Sequence, residues 1–463
     1  MVWLSSRRPA VWHGDGEHEI VEQTDLNVGT EPHSALDPAA PRPLMGGDTA
    51  GTRATRPRWR LALVLLWMGQ VISHLGDSLY LLGIVWLVLE LTGSKSLSGW
   101  LVAMSFAPAL GFGLFAGAFV DRHDRRVIMI TADILRCLAV GAIPPLLLTG
   151  RLNAPLLGVI LLLLATGTTF FNPAMKALIP EIAPSARLAA AVTIFQLSEQ
   201  VAFIGGPLLG RPATKQLGLV HLFTVDAATF LFSAACLALL PRRGRRLSHA
   251  AATQPLPPAT AHMIWSETSA VVHAVIQSPV LRTLLLLTAL DNLLIMGPAY
   301  IATPVLVKET LHLGPDGYMS AMLFFFLGLA AGSAVVGLLA RGGAPKGRLI
   351  LCGIALDGLT FIPLALCTTL AEIQLALFVH ALAIPLIIIP RTVLMQQAVP
   401  GRLHGRVFAL INVTVFGMTG ISAGLTGLAI ERISPASLFV VVGVLGGLGG
   451  LLGFRVRSLR DAR

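Results

Sequence analysis

The residues of this sequence with the clearest capacity for chemistry are acidic side chains set inside long apolar runs. Six carboxyl groups lie in such surroundings: Asp77, Asp133, Glu199, Asp226, Asp291 and Asp357. If those runs cross a bilayer, each carboxyl group costs on the order of 2.5–3.5 kcal/mol to place at its centre, so each needs a physical reason to be there. A carboxyl group in these surroundings can gain and lose a proton, which is the chemistry of ion-coupled transport.

The apolar runs that hold these acids have the length of membrane-spanning helices. Hydrophobic residues make up 54% of the 463 residues, while Asp, Glu, Lys and Arg make up only 13%, about half their share in a soluble domain. The mean hydropathy of +0.76 agrees, and a soluble enzyme is therefore excluded. Runs of about 20 apolar residues, continuous rather than alternating, indicate helices and not transmembrane strands. The sequence predicts an all-α membrane protein with twelve transmembrane helices at 60–91, 97–119, 126–149, 154–176, 187–210, 218–240, 280–307, 317–340, 348–369, 372–398, 405–429 and 436–454.

The distribution of Lys and Arg between the breaks predicts how the helices are oriented. The side that carries both chain ends holds most of these residues. The other side holds six: Lys95, Arg151, Arg211, Lys215, Lys308 and Arg432. Because basic residues concentrate on the cytoplasmic side, we expect both termini in the cytoplasm. The formal net charge of +10 is then explained by topology and contact with anionic lipid, and no nucleic-acid partner is expected.

The stretches outside the apolar runs divide the chain into parts. Residues 1–57 hold 8 of the 24 acidic residues and no apolar run, which predicts a disordered cytoplasmic tail. The longest break, 241–278, begins with an arginine-rich segment and separates the helices into six and six. We expect it to be a cytoplasmic linker between two six-helix bundles, 58–240 and 279–456, with 457–463 as a cytoplasmic C-terminus. Two such halves are typical of a secondary transporter with its site at the midplane.

The break after the second apolar run carries a motif, Gly117-Ala-Phe-Val-Asp121-Arg122-His123-Asp124-Arg125-Arg126. It resembles the cytoplasmic motif G-x-x-x-D-R-x-G-R-[RK] of the major facilitator superfamily, with Asp124 in place of the second glycine. The resemblance implies the major facilitator fold and a gating role for this break. Gly117 would permit close helix approach, and Asp121 would form a latch with helix ends or nearby arginines. The cytoplasmic gating residues implied are Gly117, Asp121, Arg122, Arg125 and Arg126.

A second motif lies in the fifth apolar run, where Gly206-Pro207-Leu208-Leu209-Gly210 resembles the G-P-x-x-G core of an antiporter motif. It implies a gate formed by Gly206, Pro207 and Gly210, with a bend at the proline and tight packing at the glycines. Further stretches are similar to the exporter branch that includes the enterobactin exporter and macrolide efflux proteins. They are Gly69-Gln70, Gly76-Asp77-Ser78, Glu90-Leu-Thr-Gly-Ser94, Phe171-Asn172-Pro173-Ala174, Ile179-Pro180-Glu181 and Gly405-Arg406-Val407.

The resemblance also sorts the buried acids. In that fold helices 1, 2, 4, 5, 7, 8, 10 and 11 line the cavity, which implies proton-coupling roles for Asp77, Glu199 and Asp291. The acids on the other helices, Asp133, Asp226 and Asp357, are expected to be structural, and Asp133 is expected to pair with Arg136 one turn later. The candidates for contact with substrate are Gln196, Asn292, Asn172 and His380.

We expect the protein to be a secondary active transporter of the bacterial-type plasma (inner) membrane. It would export a small amphipathic molecule, such as a drug, a macrolide or a siderophore-like compound, in exchange for protons. A proton-linked importer, a facilitator and a non-transporting receptor remain open alternatives, as does coupling to sodium. No nucleotide-binding motif or metal cluster is present in the sequence, so we expect no enzyme activity, no cofactor and no metal, and we expect a monomer. Four scattered cysteines, Cys137, Cys236, Cys352 and Cys367, are interpreted as core residues.

Overall fold

A computed structural model describes residues 58–240, 272–273, 275–399 and 404–462 of the chain. The predicted tail at 1–57 and most of the predicted linker at 241–278 lie outside the described residues. Within the described ranges the regular structure is entirely helical. Among the described residues, twelve helices are long and apolar enough to cross a membrane, which confirms the predicted number and the predicted fold class.

The spanning helices are named α1–α12 in chain order. Their bounds are α1 Arg58–Thr92, α2 Lys95–Met104 continued by Ala107–Val120, α3 Arg125–Gly141 continued by Ile143–Leu148, α4 Ala154–Ile182, α5 Leu188–Leu217, α6 Val220–Ala238, α7 Pro279–Thr310, α8 Pro315–Arg341, α9 Lys346–Leu359 continued by the 3-10 turn Ile362–Leu366, α10 Leu370–Ala398, α11 His404–Ala429 and α12 Pro435–Gly453. A short helix, α13 at Arg457–Arg460, follows them.

Local capping explains where several of these helices begin. The side chain of Asn153 accepts a hydrogen bond from the Leu156 amide and so caps α4. Thr369 and Glu372 form a reciprocal capping box at the start of α10, which satisfies amide groups that have no partner inside the helix. The chain turns between α1 and α2 at Gly93, whose φ of 59° lies in the left-handed region that glycine adopts without strain.

Two helices are longer than the sequence predicted. We expected the fourth and fifth helices at 154–176 and 187–210, whereas α4 continues to Ile182 and α5 to Leu217. The 29 residues of α4 make a helix about 44 Å long, which exceeds a hydrocarbon core of about 30 Å. A charged side chain such as Lys176 or Arg211 therefore ends the apolar run without ending the helix, because the last turns can lie beyond the hydrocarbon.

The first six helices pack against one another, and so do the last six. In the first six, α1 lies against α6, and α3 lies against both α4 and α6. In the last six, α10 lies against α8 and α9, and α9 lies against α12. Close backbone approach makes the last of these contacts possible, because a side chain at Gly358 would meet the backbone of Gly446 and Gly447.

The two groups of six meet through α2 with α11 and α5 with α8. We call the side of the bundle at residues 121–124, where the described chain also begins and ends, the terminal face, and the side at residues 93–94 the opposite face. Contacts across the seam lie toward the opposite face. They include Gly99 against Gly427, the stacked rings of Phe203 and Phe326 at 5.5 Å, and Lys215 Nζ at 3.3 Å from Asp316 Oδ2.

Toward the terminal face the helices separate. A side chain built at Gly111, Gly113 or Gly117 of α2 would meet nothing within 4 Å, and the same holds at Gly337 of α8. The aromatic side chains on the same part of α2, such as Phe115, are exposed. The structure is therefore closed at the opposite face and open between the halves at the terminal face.

Candidate functional site

The motif between α2 and α3 joins three helices at the terminal face. The guanidinium of Arg125 donates to the Glu181 carboxylate at 2.5 Å and to the carbonyl of Ala177 at 3.0 Å, both near the end of α4. The guanidinium of Arg126 donates to the carbonyl of Ala238 at the end of α6. A cation near the C-terminal end of a helix interacts favourably with the helix dipole. The two arginines thereby tie the start of α3 to α4 and α6.

The other members of the motif are more exposed. The side chain of Asp121 is 64% exposed and lies 4.0 Å from Arg125, and Arg122 is exposed as well. Asp124, which stands in place of a glycine, caps α3: its carboxylate accepts from the amides of Arg126 and Val127 at 2.9 and 3.3 Å. Its φ of −65° is ordinary for any residue. The departure from the superfamily motif therefore leaves the turn unstrained and adds a cap.

The glycine–proline motif of α5 packs against α1 and α8. A side chain at Gly206 would collide with Ser78 of α1, and one at Gly210 would collide with Met319 of α8. Pro207 is buried inside the helix and has no amide hydrogen, so the carbonyl of Phe203 loses its partner within α5. The Ser78 hydroxyl lies 3.5 Å from that carbonyl oxygen and donates to it. Ser78 thus packs against Gly206, and its hydroxyl also supplies a hydrogen-bond donor to the carbonyl that Pro207 leaves without a partner.

The stretch Gly76-Asp77-Ser78 directs three consecutive residues of α1 toward three different surroundings. A side chain at Gly76 would meet Thr229 and the Asp226 carboxylate of α6, and Ser78 faces α5. Asp77 lies between them with its side chain 36% exposed, and its Oδ2 is 3.8 Å from His74 Nδ1. A half-buried carboxyl group at the middle of a spanning helix is in reach of water or of a ligand.

A buried arginine lies behind Asp77. Arg136 of α3 forms a hydrogen-bonded ion pair with Asp133, which confirms the expected pair. Its guanidinium also lies over the rings of Phe171 and Phe230, 4.2 and 4.4 Å from their centroids, a favourable cation–π geometry. Asp77, on α1, is within electrostatic range of Arg136.

Asp226 of α6 completes this group of charges, because it interacts electrostatically with both Asp77 and Arg136. Arg136 thus forms an ion pair with one carboxyl group and interacts electrostatically with two others. One oxygen each of Asp133 and Asp226 is buried without a hydrogen-bond partner. Acids that we expected to be structural therefore lie in the same electrostatic neighbourhood as a candidate for proton coupling, and we call Asp77, Asp133, Arg136 and Asp226 the N-half charge cluster.

The remaining candidates in the first half are less enclosed. Glu199 of α5 is half-buried and interacts electrostatically with Asp77. Gln196, one turn before it, is exposed, as is Asn172 of α4. Near Glu199, the indole of Trp67 donates to the Ser198 hydroxyl at 2.8 Å and links α1 to α5. The structure thus brings Asp77 and Glu199 into one region and leaves Gln196 and Asn172 on open helix surface.

In the second half the candidates are buried. Asp291 of α7 is 7% exposed and His380 of α10 is 2% exposed. The imidazole Nδ1 of His380 lies 3.6 Å from Asp357 of α9 and 3.0 Å from the Thr360 hydroxyl. The Asn292 amide donates at 2.8 Å to the backbone carbonyl one turn earlier on α7. His380 and Asn292 are therefore engaged inside the bundle in this conformation.

Sequence reasoning missed one charged residue of this half. Arg391 lies within the apolar run of α10, interacts electrostatically with Asp291 and donates to the Thr288 hydroxyl at 3.3 Å. A lone arginine inside a predicted spanning helix costs as much as the acids do. The same signal that selected the acids could have selected it. Among the described residues, no group of three or more His, Cys, Asp or Glu side chains is arranged to hold a metal ion.

Twelve spanning helices, two groups of six that meet along a seam, and charged side chains at mid-helix define a polytopic membrane transporter of the secondary type. The sequence matches the family model of the Major Facilitator Superfamily over residues 66–424. The chain belongs to that superfamily. Because its members are transporters, the expectation that this protein is not an enzyme is confirmed on the same ground.

Characterised and uncharacterised transporters are similar to the chain over most of its length. It is 27% identical over 426 residues to the uncharacterised MFS-type transporter YfiS of Bacillus subtilis (strain 168), which covers 87% of this chain and 94% of that protein. It is 24% identical to macrolide efflux protein A of Streptococcus pyogenes (84% and 94% covered) and 26% identical to the multidrug efflux pump Tap of Mycolicibacterium fortuitum (79% and 87%). The resemblance to an efflux branch of the superfamily is thereby confirmed.

Solved structures share the fold at low sequence identity. A peptide transporter of the POT family superposes with a TM-score of 0.69 at 15% identity, covering 87% of this chain and 95% of its own. A bacterial homologue of the human lysosomal transporter Spinster, in an inward-facing and unoccupied conformation, superposes with a TM-score of 0.66 at 15% identity, covering 88% and 99%. At this identity the likeness supports the fold alone.

Proposed function

We propose that this transporter exports a small amphipathic molecule in exchange for protons, with Asp77 as the principal proton-carrying group. The observation that carries the proposal is the position of Asp77: a carboxyl group at the middle of α1 whose side chain is 36% exposed and interacts electrostatically with Glu199 and Arg136. Export is supported by the relatives, two of which are named as efflux proteins for macrolides or several drugs.

Alternating access supplies the mechanism. In the conformation described, the halves are open at the terminal face, where a substrate can reach the helices that carry Asp77 and Glu199. A protonated Asp77 is neutral and no longer attracts Arg136 or repels Glu199, so binding or loss of one proton changes the balance of charge around α1 and α5. Only an interaction that differs between the two conformations can drive the change between them.

The free energy released by proton entry is sufficient to drive export of a substrate against a concentration gradient. One proton that enters the cell down a membrane potential of about 100 mV supplies roughly 2.3 kcal/mol, and each unit of an inward pH gradient adds about 1.4 kcal/mol. One proton per cycle would then sustain a substrate gradient of about fiftyfold under the potential alone, or five-hundredfold with one pH unit added.

We also propose that the terminal face is cytoplasmic and that the chain lies in a bacterial-type inner membrane as a monomer. The supporting observation is the basic motif at that face, where Arg125 and Arg126 bind the ends of α4 and α6, together with Arg348 beside Asp461 at 3.6 Å. In this orientation the predicted tail 1–57 and linker 241–278 would both be cytoplasmic, between and beside two six-helix bundles.

Transport by inside-out vesicles with an imposed pH gradient tests the proposed function. We expect Asp77→Asn and Glu199→Gln to abolish proton-driven accumulation of a macrolide or dye substrate while the protein still reaches the membrane. Glu372→Gln is the matched control, because Glu372 only caps its own helix, and it should transport normally. Full proton-driven transport by both Asp77→Asn and Glu199→Gln would refute the assignment of proton coupling to these residues. A higher level of substrate inside cells that express the protein than inside cells that lack it would refute export.

A further inference from the structure

Two arginine side chains at the terminal face lie over the ring of one tryptophan. Trp59, in the first turn of α1, is half-buried. The guanidinium carbon of Arg60 lies 5.5 Å from the centre of its indole ring, and that of Arg187, immediately before α5, lies 5.8 Å from it. Both arginines are exposed. We call these three residues the arginine–tryptophan group.

The positive charges of this group are not balanced by a carboxylate among the described residues. Neither Arg60 nor Arg187 forms an ion pair there, and Glu181, the acidic residue nearest to Arg187 in the sequence, binds Arg125. The indole ring attracts each cation but is itself neutral. Charges interact over about 8–10 Å at physiological ionic strength, so two guanidinium groups over one ring repel each other. An anion bound to both would remove this repulsion.

The group lies at the edge of the membrane-spanning part of the first half. The apolar span of α1 begins at Trp59, and tryptophan is typical of the boundary between hydrocarbon and headgroups. Farther from the terminal face, Leu61 and Val64 of α1 are 59% and 48% exposed, and Val192 and Ile194 of α5 are 37% and 51% exposed. Two cations at headgroup depth are therefore followed by apolar side chains that an acyl chain can cover.

An anionic phospholipid has the chemistry that fits both parts of this surface. The planar guanidinium group binds phosphate through paired hydrogen bonds, and arginine is preferred where phosphate is recognised. Anionic lipid also attracts basic side chains at the membrane surface. A free anion would satisfy the arginines alone, whereas a phospholipid places its phosphate on them and its acyl chains on the exposed apolar side chains of α1 and α5.

We infer that the arginine–tryptophan group binds the phosphate of one anionic phospholipid, whose acyl chains lie against α1 and α5. The bound lipid joins the start of α1, the helix that carries Asp77, to the start of α5, the helix that carries the glycine–proline motif. The inference goes beyond the proposed function, because binding of a lipid at this surface does not depend on what the protein transports or in which direction.

Native mass spectrometry of the full-length protein in detergent tests this site without a substrate. Phosphatidylglycerol is titrated into delipidated protein, and the dissociation constant of the first bound lipid is measured. One arginine near a membrane surface changes the affinity for anionic lipid about fivefold. Arg60→Gln and Arg187→Gln should therefore each weaken binding about fivefold, and the double variant about thirtyfold. Phosphatidylcholine, whose headgroup has no net charge, should bind the wild type more weakly than phosphatidylglycerol.

Arg122→Gln combined with Arg455→Gln is the matched control. It removes two exposed arginines from the same face, but among the described residues neither lies over an aromatic ring. The control should leave the affinity for phosphatidylglycerol close to that of the wild type. Equal weakening by the control and by the double variant of Arg60 and Arg187 would overturn the inference, because net charge alone would then explain the binding.

The single variants guard against failure of the double variant to fold. Both side chains are exposed, so each single variant should keep the thermal midpoint of the wild type. An unchanged affinity in Arg60→Gln or in Arg187→Gln would overturn the inference, and so would equal binding of the two lipids by the wild type. Displacement of the lipid by inorganic phosphate would show a site for free anions and would also overturn it. Because no transport is measured, these outcomes leave the exporter proposal untouched.

Discussion

Removing the contacts that close the opposite face should shift the protein toward the conformation that opens there. Besides the Lys215–Asp316 pair, two polar contacts among the described residues join the start of α2 to the second half at this face, and we call these two the opposite-face latch. The Lys95 ammonium donates to Glu309 at 2.6 Å. The Glu431 carboxylate accepts at 3.1 Å from the Ser94 hydroxyl and at 3.1 Å from the Ser96 amide, at the start of α2. The perturbation we consider is Glu309→Gln combined with Glu431→Gln.

The magnitude follows from the exposure of these groups. The Lys95–Glu309 pair is partly exposed, with side chains 24% and 47% accessible, and an exposed pair contributes about 0.2–1 kcal/mol. Glu431 accepts an amide hydrogen at a helix N-terminus, where a negative charge contributes about 0.3–1 kcal/mol. The double substitution therefore costs the closed state about 0.5–2 kcal/mol, which changes the ratio of the two conformations roughly two- to thirtyfold.

Distances between spin labels on the two halves measure that ratio. Labels at Arg151 and Arg432, both exposed at the opposite face, in a variant without the four native cysteines, report whether the halves separate there. We expect the short distance to lose population to a longer one in the double variant. Glu372→Gln is the matched control at the same face, because its bonds to Thr368 and Thr369 stay within one half, and it should leave the distribution unchanged. An unchanged distribution in the double variant, or a further gain of the short distance, would refute the reasoning.

Two further predictions concern local structure. Asp124→Ala should destabilise the protein by about 0.5–2 kcal/mol through loss of the cap on α3. Asp124→Gly, which restores the superfamily glycine, should cost only a few tenths of a kcal/mol. Thermal unfolding in detergent distinguishes the two variants, and equal losses of stability would contradict the capping role. Gly76→Ala should cost about 1–3 kcal/mol, because the added methyl group would meet the Asp226 carboxylate and Thr229. The same substitution at Gly111, where nothing lies within 4 Å, should be tolerated, and equal thermal midpoints for the two variants would show that α1 and α6 do not need close approach.

The helices were predictable from the sequence because their signal is local. A run of about 20 apolar residues is a property of consecutive residues, and no tertiary contact is needed to recognise it. The ion pair between Asp133 and Arg136 was predictable for the same reason, since residues three apart lie on one face of a helix. The ends of α4 and α5 were misplaced because a polar residue marks the edge of an apolar run and not the end of hydrogen bonding in the helix.

The grouping of charges from different helices was not predictable. Asp226 is on α6 and Asp77 on α1, yet they are neighbours because Gly76 lets the two helices approach. Sorting the acids by whether their helix lines the cavity gave Asp77 a coupling role and Asp226 a structural one. The two carboxyl groups nevertheless interact, because electrostatic interactions extend between neighbouring helices in a region of low dielectric. The hydrogen bond from Arg391 of α10 to Thr288 of α7 could likewise be found only from the packing.

The contact between α2 and α11 at Gly99 and Gly427 has a mechanical consequence. At this point backbone lies against backbone, and a backbone cannot change rotamer to absorb a displacement as a long side chain can. The Gly99–Gly427 contact is therefore a rigid point about which α2 can rotate, and it lies near one end of that helix. Residues 99–120 of α2 extend about 32 Å from this point, so a rotation of about 10° there moves the far end of the helix by about 6 Å. Because most of α2 lies on the side of the terminal face, the same rotation opens a wide gap between the halves at that face while the opposite face moves little.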